Sequence, residues 1–141
     1  MATQNILVAL SNVSYFLVAM WLYTTHHAYA NVLVAVGAVS TVFHLMPNHA
    51  WAYWSDIITA NVSIAWFLYV YGLRTKHHDK QLIALSIGCF IFGFVFFELC
   101  CNQQTCHRDS AKYVWMHSVW HALTAVAVYF LVKSTDGTTL R

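Results

Sequence analysis

Five apolar runs follow one another along this 141-residue chain, each close to the length that crosses a bilayer. A helix needs about 20 apolar residues to span the hydrocarbon core. Each backbone polar group inside a membrane must be hydrogen-bonded internally, which favours helices for continuous apolar runs. The runs are residues 6–23, 28–46, 55–71, 82–100 and 114–132. They predict an all-α integral membrane bundle of about five transmembrane helices.

Composition agrees with a multi-pass membrane protein. The chain is 60% hydrophobic and only 9% charged, which is too apolar for a soluble domain of this size. A net charge of +2 without a basic run argues against nucleic acid as a partner. No linker or repeat divides the sequence, so residues 1–141 are predicted to form a single transmembrane helical domain. No basic residue precedes the first run, and the run is longer than the apolar core of a usual signal peptide. Both features favour a transmembrane helix that stays in the protein over a cleaved signal peptide.

Some run ends carry helix-terminating or helix-starting residues. Pro47 cannot continue a helical hydrogen-bond ladder, so it is expected to stop the second helix. Ser55 is a possible N-cap for the third helix, which would place Asp56 in the first turn, where the helix dipole favours an acid. Gly72 is a plausible C-terminal cap for the same helix.

Two histidines near the start of the last run, His117 and His121, are four residues apart. Positions i and i+4 share one helix face, so both imidazoles can reach one metal ion. Ionisable residues inside a membrane are costly and usually functional. The alternative is a pair of interfacial histidines satisfied by backbone carbonyls or lipid headgroups.

Alternating helix directions bring further polar residues to the depth of this pair. We call side B the membrane side that holds the loop of residues 47–53, and side A the opposite side. His44 ends the second helix on side B, Asp56 begins the third there, and Ser40 lies four residues before His44. A serine in a membrane helix commonly bonds its own backbone, and an acid is common at a helix start. Three histidines at one depth instead match catalytic zinc, which takes three protein ligands and leaves one position for water.

The pattern Ser40-x-x-x-His44, Asp56 and His117-x-x-x-His121 resembles the membrane zinc hydrolase superfamily of alkaline ceramidases, adiponectin and progestin receptors, and myomaker-like proteins. Residues 113–125 look most like the myomaker-like branch. The resemblance implies that His44, His117 and His121 hold zinc, with Asp56 and Ser40 as catalytic residues that hydrogen-bond the water at the metal. The superfamily has seven helices, so the wall of a lipid-binding cavity here is either open to the bilayer or completed by a second copy in a homo-oligomer.

The function expected from this resemblance is zinc-dependent hydrolysis of an amide or ester bond in a ceramide-like or acyl membrane lipid. One alternative is a non-catalytic myomaker-like protein, a fusogen or receptor, in which zinc is a structural clamp. A second alternative is a membrane haem protein, with His44 and one histidine of the final pair as axial ligands. The acyl chain of a lipid substrate would lie beside aromatic residues that could equally face the bilayer, namely Phe90, Phe94, Phe96 and Phe97.

Basic residues predict the orientation in the membrane. Side A carries five of them and side B two. The positive-inside rule then places side A and the C-terminus in the cytoplasm, and the zinc site towards the lumen or exterior. The side A residues are Arg74, Lys76, Lys80, Lys133 and Arg141, and the side B residues are Arg108 and Lys112.

Several other residues have open roles. Cys100, Cys101 and Cys106 cluster on side B, where a zinc knuckle, lipidation or a disulfide is compatible with their spacing. Glu98 is expected to pair with Arg108 or to cap its helix. The histidine pairs at 26–27 and 77–78 fall in side A loops, either as a second metal site or as solvated interfacial residues.

Overall fold

The computed structural model describes residues 3–74, 79–101 and 111–135, which are helical apart from short turns. The helices form five rods, of which the first is broken into two segments, so the predicted all-α bundle is confirmed. Their bounds are α1 Thr3–Ser11, α2 Val13–Leu22, α3 His27–Leu45, α4 Ala50–Arg74, α5 Lys80–Cys101 and α6 Ala111–Lys133.

Four of these rods are long and apolar enough to cross a membrane, judged over the described residues. They are α1 with α2 (Thr3–Leu22), α3 (His27–Leu45), most of α5 (Lys80–Leu99) and α6 (Ala111–Lys133). The remaining helix, α4, is the longest at 25 residues, but Asp56, Asn61 and Ser63 lower its hydropathy. Membrane association through at least four helices is therefore consistent with the fold.

The first rod is interrupted at Asn12, between α1 and α2. The amide of Asn12 bonds to the carbonyl of Ala9 at 3.2 Å, a 3₁₀ hydrogen bond that tightens the helix locally. Two serine hydroxyls, one on each side of the break, donate to carbonyls that precede it. Ser11 donates to Val8 at 2.6 Å, and Ser14 donates to Ser11 at 3.0 Å. The sequence predicted an unbroken helix here because neither proline nor glycine marks the position.

Helix α4, which corresponds to the third predicted helix, differs from the sequence prediction at both ends. It begins at Ala50 rather than Ser55, because the chain turns at Pro47 and residues 50–54 then continue as helix. Ser55 is therefore not an N-cap, and Asp56 does not lie in the first turn, which contains no acid. The helix also continues past Gly72 to Arg74, so the predicted glycine cap is wrong.

Helices α1 and α2 pack against both α3 and α6. Helix α4 packs on α3, and α5 packs on α6. Within the described residues, neither the backbones of α4 and α5 nor those of α3 and α6 pack closely on each other. The outer faces of α4 and α5 expose large apolar side chains such as Ile58, Val62, Ile91 and Phe92, as expected beside lipid.

Close approaches hold neighbouring rods together. A Cβ atom added at Gly37 of α3 would meet the Cβ of Tyr15 at 3.1 Å, so glycine permits α2 and α3 to touch. On the other side, the Ser86 hydroxyl donates to the carbonyl of Ala127 at 2.7 Å, joining α5 to α6. The α5 N-terminus is capped by Asp79, whose carboxylate accepts from the amide of Gln81 at 2.9 Å.

Candidate metal centre

Three buried histidines meet at the end of the bundle that holds the turn at Pro47, between α3 and α4. His44 lies in the last turn of α3, and His117 and His121 lie on one face of α6. One ring nitrogen from each residue lies within 4.8 Å of the other two, and the side chains are only 3–8% exposed. Three residues distant in the sequence thus form one cluster that could hold a metal ion.

His121 has a defined orientation because Ser11 contacts its ring. The Ser11 hydroxyl lies 2.8 Å from Nδ1 of His121 and donates its single proton to the carbonyl of Val8 at 2.6 Å. Ser11 is therefore left as the acceptor, and His121 donates its Nδ1–H to it. This tautomer leaves the Nε2 lone pair of His121 available to a metal, the usual arrangement for a histidine ligand.

Aromatic rings and helix packing enclose the other two histidines. Tyr113 stacks on His117 with ring centroids 5.1 Å apart, and Phe97 of α5 lies 6.2 Å from the same ring. Phe43 lies 5.0 Å from the ring of His44. Two buried nitrogen atoms here, Nε2 of His44 and Nδ1 of His117, make no hydrogen bond within the described part of the chain, although both residues make other interactions.

A pair of polar residues lies beside the histidines. Ser40, one turn before His44 and 5% exposed, donates its hydroxyl to the Asp56 carboxylate of α4. Asp56 is half-buried and also interacts electrostatically with Tyr15 of α2. This hydrogen bond joins α3 to α4 next to the cluster and holds a carboxylate inside the bundle.

Tyr15 and Thr124 complete the inner layer on the α2 side. The Tyr15 hydroxyl lies 2.7 Å from Oγ1 of Thr124, and its ring centroid lies 5.8 Å from that of His121. Thr124 donates its own proton to the Trp120 carbonyl at 2.8 Å, so Tyr15 is the donor between the two hydroxyls. Ser11, Tyr15 and Thr124 were not predicted as site residues, since serine, tyrosine and threonine occur throughout such helices without a distinguishing motif.

The donor set fits a divalent transition metal. Three imidazoles without a charged ligand are typical of catalytic zinc sites, and imidazole also suits copper, iron and nickel. Around a tetrahedral zinc, ligand nitrogens about 2.0–2.1 Å from the ion lie about 3.3 Å apart. The 4.8 Å limit observed here is close enough for small side-chain rotations to complete the set.

The other predicted residues lie away from this cluster or outside the described residues. His26 and His27 begin α3 at the opposite end of the bundle, in contact with Tyr29 and Tyr23 respectively. Phe97 contacts His117, whereas Phe90 and Phe94 are 40% and 48% exposed. The histidine pair at 77–78, Cys106, Arg108 and the side chains of Cys100 and Cys101 lie outside the described residues.

Comparison with protein-family models, curated proteins and solved structures gave no match. The superfamily resemblance therefore rests on the residues and their arrangement alone.

Proposed function

We propose that this protein is a zinc-dependent membrane hydrolase that cleaves an amide or ester bond of a ceramide-like or acyl lipid. One observation carries the proposal, namely the convergence of three buried histidines with the Asp56–Ser40 pair at one end of the bundle. A metal site built only for stability needs the histidines but has no use for a carboxylate and a hydroxyl beside them.

Zinc held by His44, His117 and His121 would supply a Lewis acid that polarises a carbonyl and activates water at neutral pH. Asp56 would act as the general base and accept a proton from the attacking water on a carboxylate oxygen. Ser40 would orient that carboxylate by donating its one hydroxyl proton to it, or would turn that proton to a developing oxyanion instead.

A lipid substrate is favoured by the surroundings of the site. The cluster lies among helices that expose large apolar side chains, and the backbones of α4 and α5 do not pack closely on each other within the described residues. A membrane lipid that approached the site between such helices would not have to enter water. On the basic residue count, the site faces the lumen or the exterior, and the C-terminus lies in the cytoplasm.

A structural role for the metal is the second candidate. The backbones of α3 and α6 do not pack closely within the described residues, and the two helices meet at the three histidines, where the rings of His44 and His117 lie 4.9 Å apart. An ion would therefore strengthen the link between two helices whose backbones do not pack closely, which suits a non-catalytic receptor or fusogen. The haem alternative is less well supported, because the three imidazole rings lie 4.7–5.3 Å from one another and leave no space for a porphyrin between them.

Metal analysis and lipid turnover on the same purified samples test the proposal. We expect about one zinc per chain, its loss in His117→Ala, and release of fatty acid from a membrane lipid extract only by the zinc-loaded wild type. Zinc that persists in the separate alanine variants of all three histidines would contradict the metal site. A zinc-loaded wild type that cleaves no N-acyl or O-acyl lipid would favour the structural role.

A further inference from the structure

Asn12, at the break between α1 and α2, is a buried polar residue whose side chain has no role in the site described so far. It is 0% exposed, and neither its Nδ2 nor its Oδ1 makes a hydrogen bond within the described residues. A buried amide without hydrogen bonds is unfavourable, because it loses its water and gains nothing in exchange. Such a group in a packed interior calls for a partner.

Contacts of neighbouring residues place Asn12 at the depth of the histidines. Val8, one turn before Asn12, packs on Tyr113 of α6. Tyr15, one turn after it, reaches the ring of His121 and the hydroxyl of Thr124. Since residues 8, 12 and 15 share one helix face, Asn12 lies between these two contacts, level with the segment that runs from His117 to His121.

The contact between α2 and α3 places Asn12 at the same depth. Tyr15 lies against Gly37, and α2 runs antiparallel to α3. One turn back from Tyr15 is Asn12, and one turn onward from Gly37 is Ser40, so the two face the same layer. The residue before Asn12, Ser11, bonds His121 directly. Asn12 thus lies on the buried face that the first rod turns towards the metal centre.

Polar side chains in this layer already have partners. The Ser11 hydroxyl is used by Val8 and His121, and the Ser40 hydroxyl is used by Asp56. A carboxamide both donates through Nδ2 and accepts through Oδ1. A carbonyl oxygen could pair only with the Nδ2 donors of Asn12. An oxygen that carries a proton can instead accept from Nδ2 or donate to Oδ1.

We propose that Asn12 is a ligand-binding residue of the metal centre, and that its carboxamide hydrogen-bonds an O–H oxygen that enters with the metal. This inference rests on the proposed metal site but not on hydrolysis. Two sources supply such an oxygen, namely a water on the metal or a hydroxyl of a bound amino-alcohol lipid. In either case Asn12 would hold the ligand from the α1–α2 side, while Asp56 lies on α4.

The experiment compares Asn12→Leu, which keeps the size of the side chain but removes both polar atoms, with the wild type. A matched control is Asn61→Leu, which removes an exposed amide that bonds the Ile57 carbonyl of its own helix. Melting temperature is measured in detergent without metal, with zinc, and with zinc plus a short-chain N-acyl amino-alcohol or the corresponding N-acyl alkylamine without hydroxyls.

If Asn12 binds water at the metal, Asn12→Leu melts higher than the wild type without metal, but its zinc affinity falls about 10-fold or more. If Asn12 binds a lipid hydroxyl, the zinc-induced shift is unchanged, and only the added stabilisation by the amino-alcohol lipid is lost. Responses to zinc and to both lipids that equal those of Asn61→Leu and wild type would overturn the proposal.

A measurement on the wild type covers the case in which Asn12→Leu does not fold. With ¹⁵N-asparagine labelling, the Asn12 side-chain amide protons should move downfield on addition of zinc or of zinc with the amino-alcohol lipid. Unchanged resonances in both additions would overturn the assignment. A wild type that binds no zinc removes the metal centre and this proposal together, whereas zinc binding without lipid turnover contradicts only the hydrolase.

Discussion

The hydrogen bond between Ser11 and His121 decides which ring nitrogen faces the histidine cluster. A neutral imidazole has one donor and one acceptor nitrogen, and the partner of the donor selects the tautomer. Because Ser11 is committed as an acceptor, His121 keeps its proton on Nδ1 and presents Nε2. A serine from the first rod, far away in the sequence, thereby orients a ligand on the last helix.

Removing this hydroxyl should weaken metal binding. We expect Ser11→Ala to lower the zinc affinity about 10–100-fold, as is typical when a partner of a metal-bound histidine is lost. Ser11→Thr keeps the hydroxyl and should retain most of the affinity. Ser14→Ala is the matched control, since its hydroxyl bonds the Ser11 carbonyl rather than an imidazole. Equal zinc affinity in Ser11→Ala and wild type, measured by competition with a chromophoric chelator, would contradict this role.

A substitution at Asp56 distinguishes a catalytic metal site from a structural one. Asp56→Asn leaves the three histidines intact, so we expect zinc content to be unchanged while lipid turnover falls about 10²–10⁴-fold, as for a lost general base. Asparagine can still accept the Ser40 hydrogen bond, so the free energy of unfolding should change by no more than about 1 kcal/mol. Activity, zinc content and melting temperature are measured on one preparation, and undiminished turnover would remove Asp56 from the mechanism.

The sequence predicted the histidine cluster but not the residues that surround it. Spacing of four on α6 and alternating helix directions were enough to bring His44, His117 and His121 to one depth. The partners Ser11 and Tyr15 depend on how the first rod is rotated about its axis. That rotation is set by packing against α3 and α6, and the almost uniformly apolar sequence of this rod carries little periodic signal for it.

At the scale of helices, close packing between α2 and α3 depends on one missing side chain. An added methyl group at Gly37 would lie 3.1 Å from the Tyr15 Cβ, and that atom cannot move without its helix. The displacement would reach the Tyr15–Thr124 hydrogen bond next to His121. Gly88 of α5 offers a contrast, because an added Cβ there meets nothing within 4 Å.

We therefore expect opposite effects from two glycine substitutions. Gly37→Ala should lower the free energy of unfolding by about 1–3 kcal/mol through overpacking. Gly88→Ala should be neutral or raise it by up to about 1 kcal/mol, since alanine suits a helix interior better than glycine. Denaturation of both variants in the same detergent, followed by circular dichroism, measures the difference. A Gly37→Ala variant as stable as Gly88→Ala would show that the two helices separate easily.

Helix positions were largely predictable, but one helix start was not. Predicted and observed ends agree within a few residues for α3, α5 and α6, because each apolar run is bounded by polar residues or by Pro47. For α4, residues 51–54, three of which are aromatic, were predicted to be loop and are helical, which moves Asp56 from the helix start into its second turn. Tryptophan and tyrosine are common at membrane interfaces, where a helix often extends beyond the apolar core.

For the whole molecule, the distribution of basic residues predicts which end of the bundle faces away from the cytoplasm. After mild reduction, Cys106, between α5 and α6, should react with a membrane-impermeant maleimide that is present outside intact cells or inside the lumen of the organelle. A cysteine placed at exposed Gln81, in a chain without other cysteines, should react only after permeabilisation. Labelling of Gln81→Cys in intact cells would reverse the orientation and turn the metal site towards the cytoplasm.

The order in which the helices pack has a consequence for a chain that is cut. A break between Arg74 and Lys80 would yield one fragment with His44 and another with both His117 and His121. Contacts of α1 and α2 with α6 would hold the fragments in register, and an ion would bind donors from both. Since a ligand that binds only the assembled state stabilises it by mass action, co-expressed fragments should co-purify with zinc and separate faster in a chelator. The ion would then act as a bond between two chains and would lengthen the lifetime of their complex.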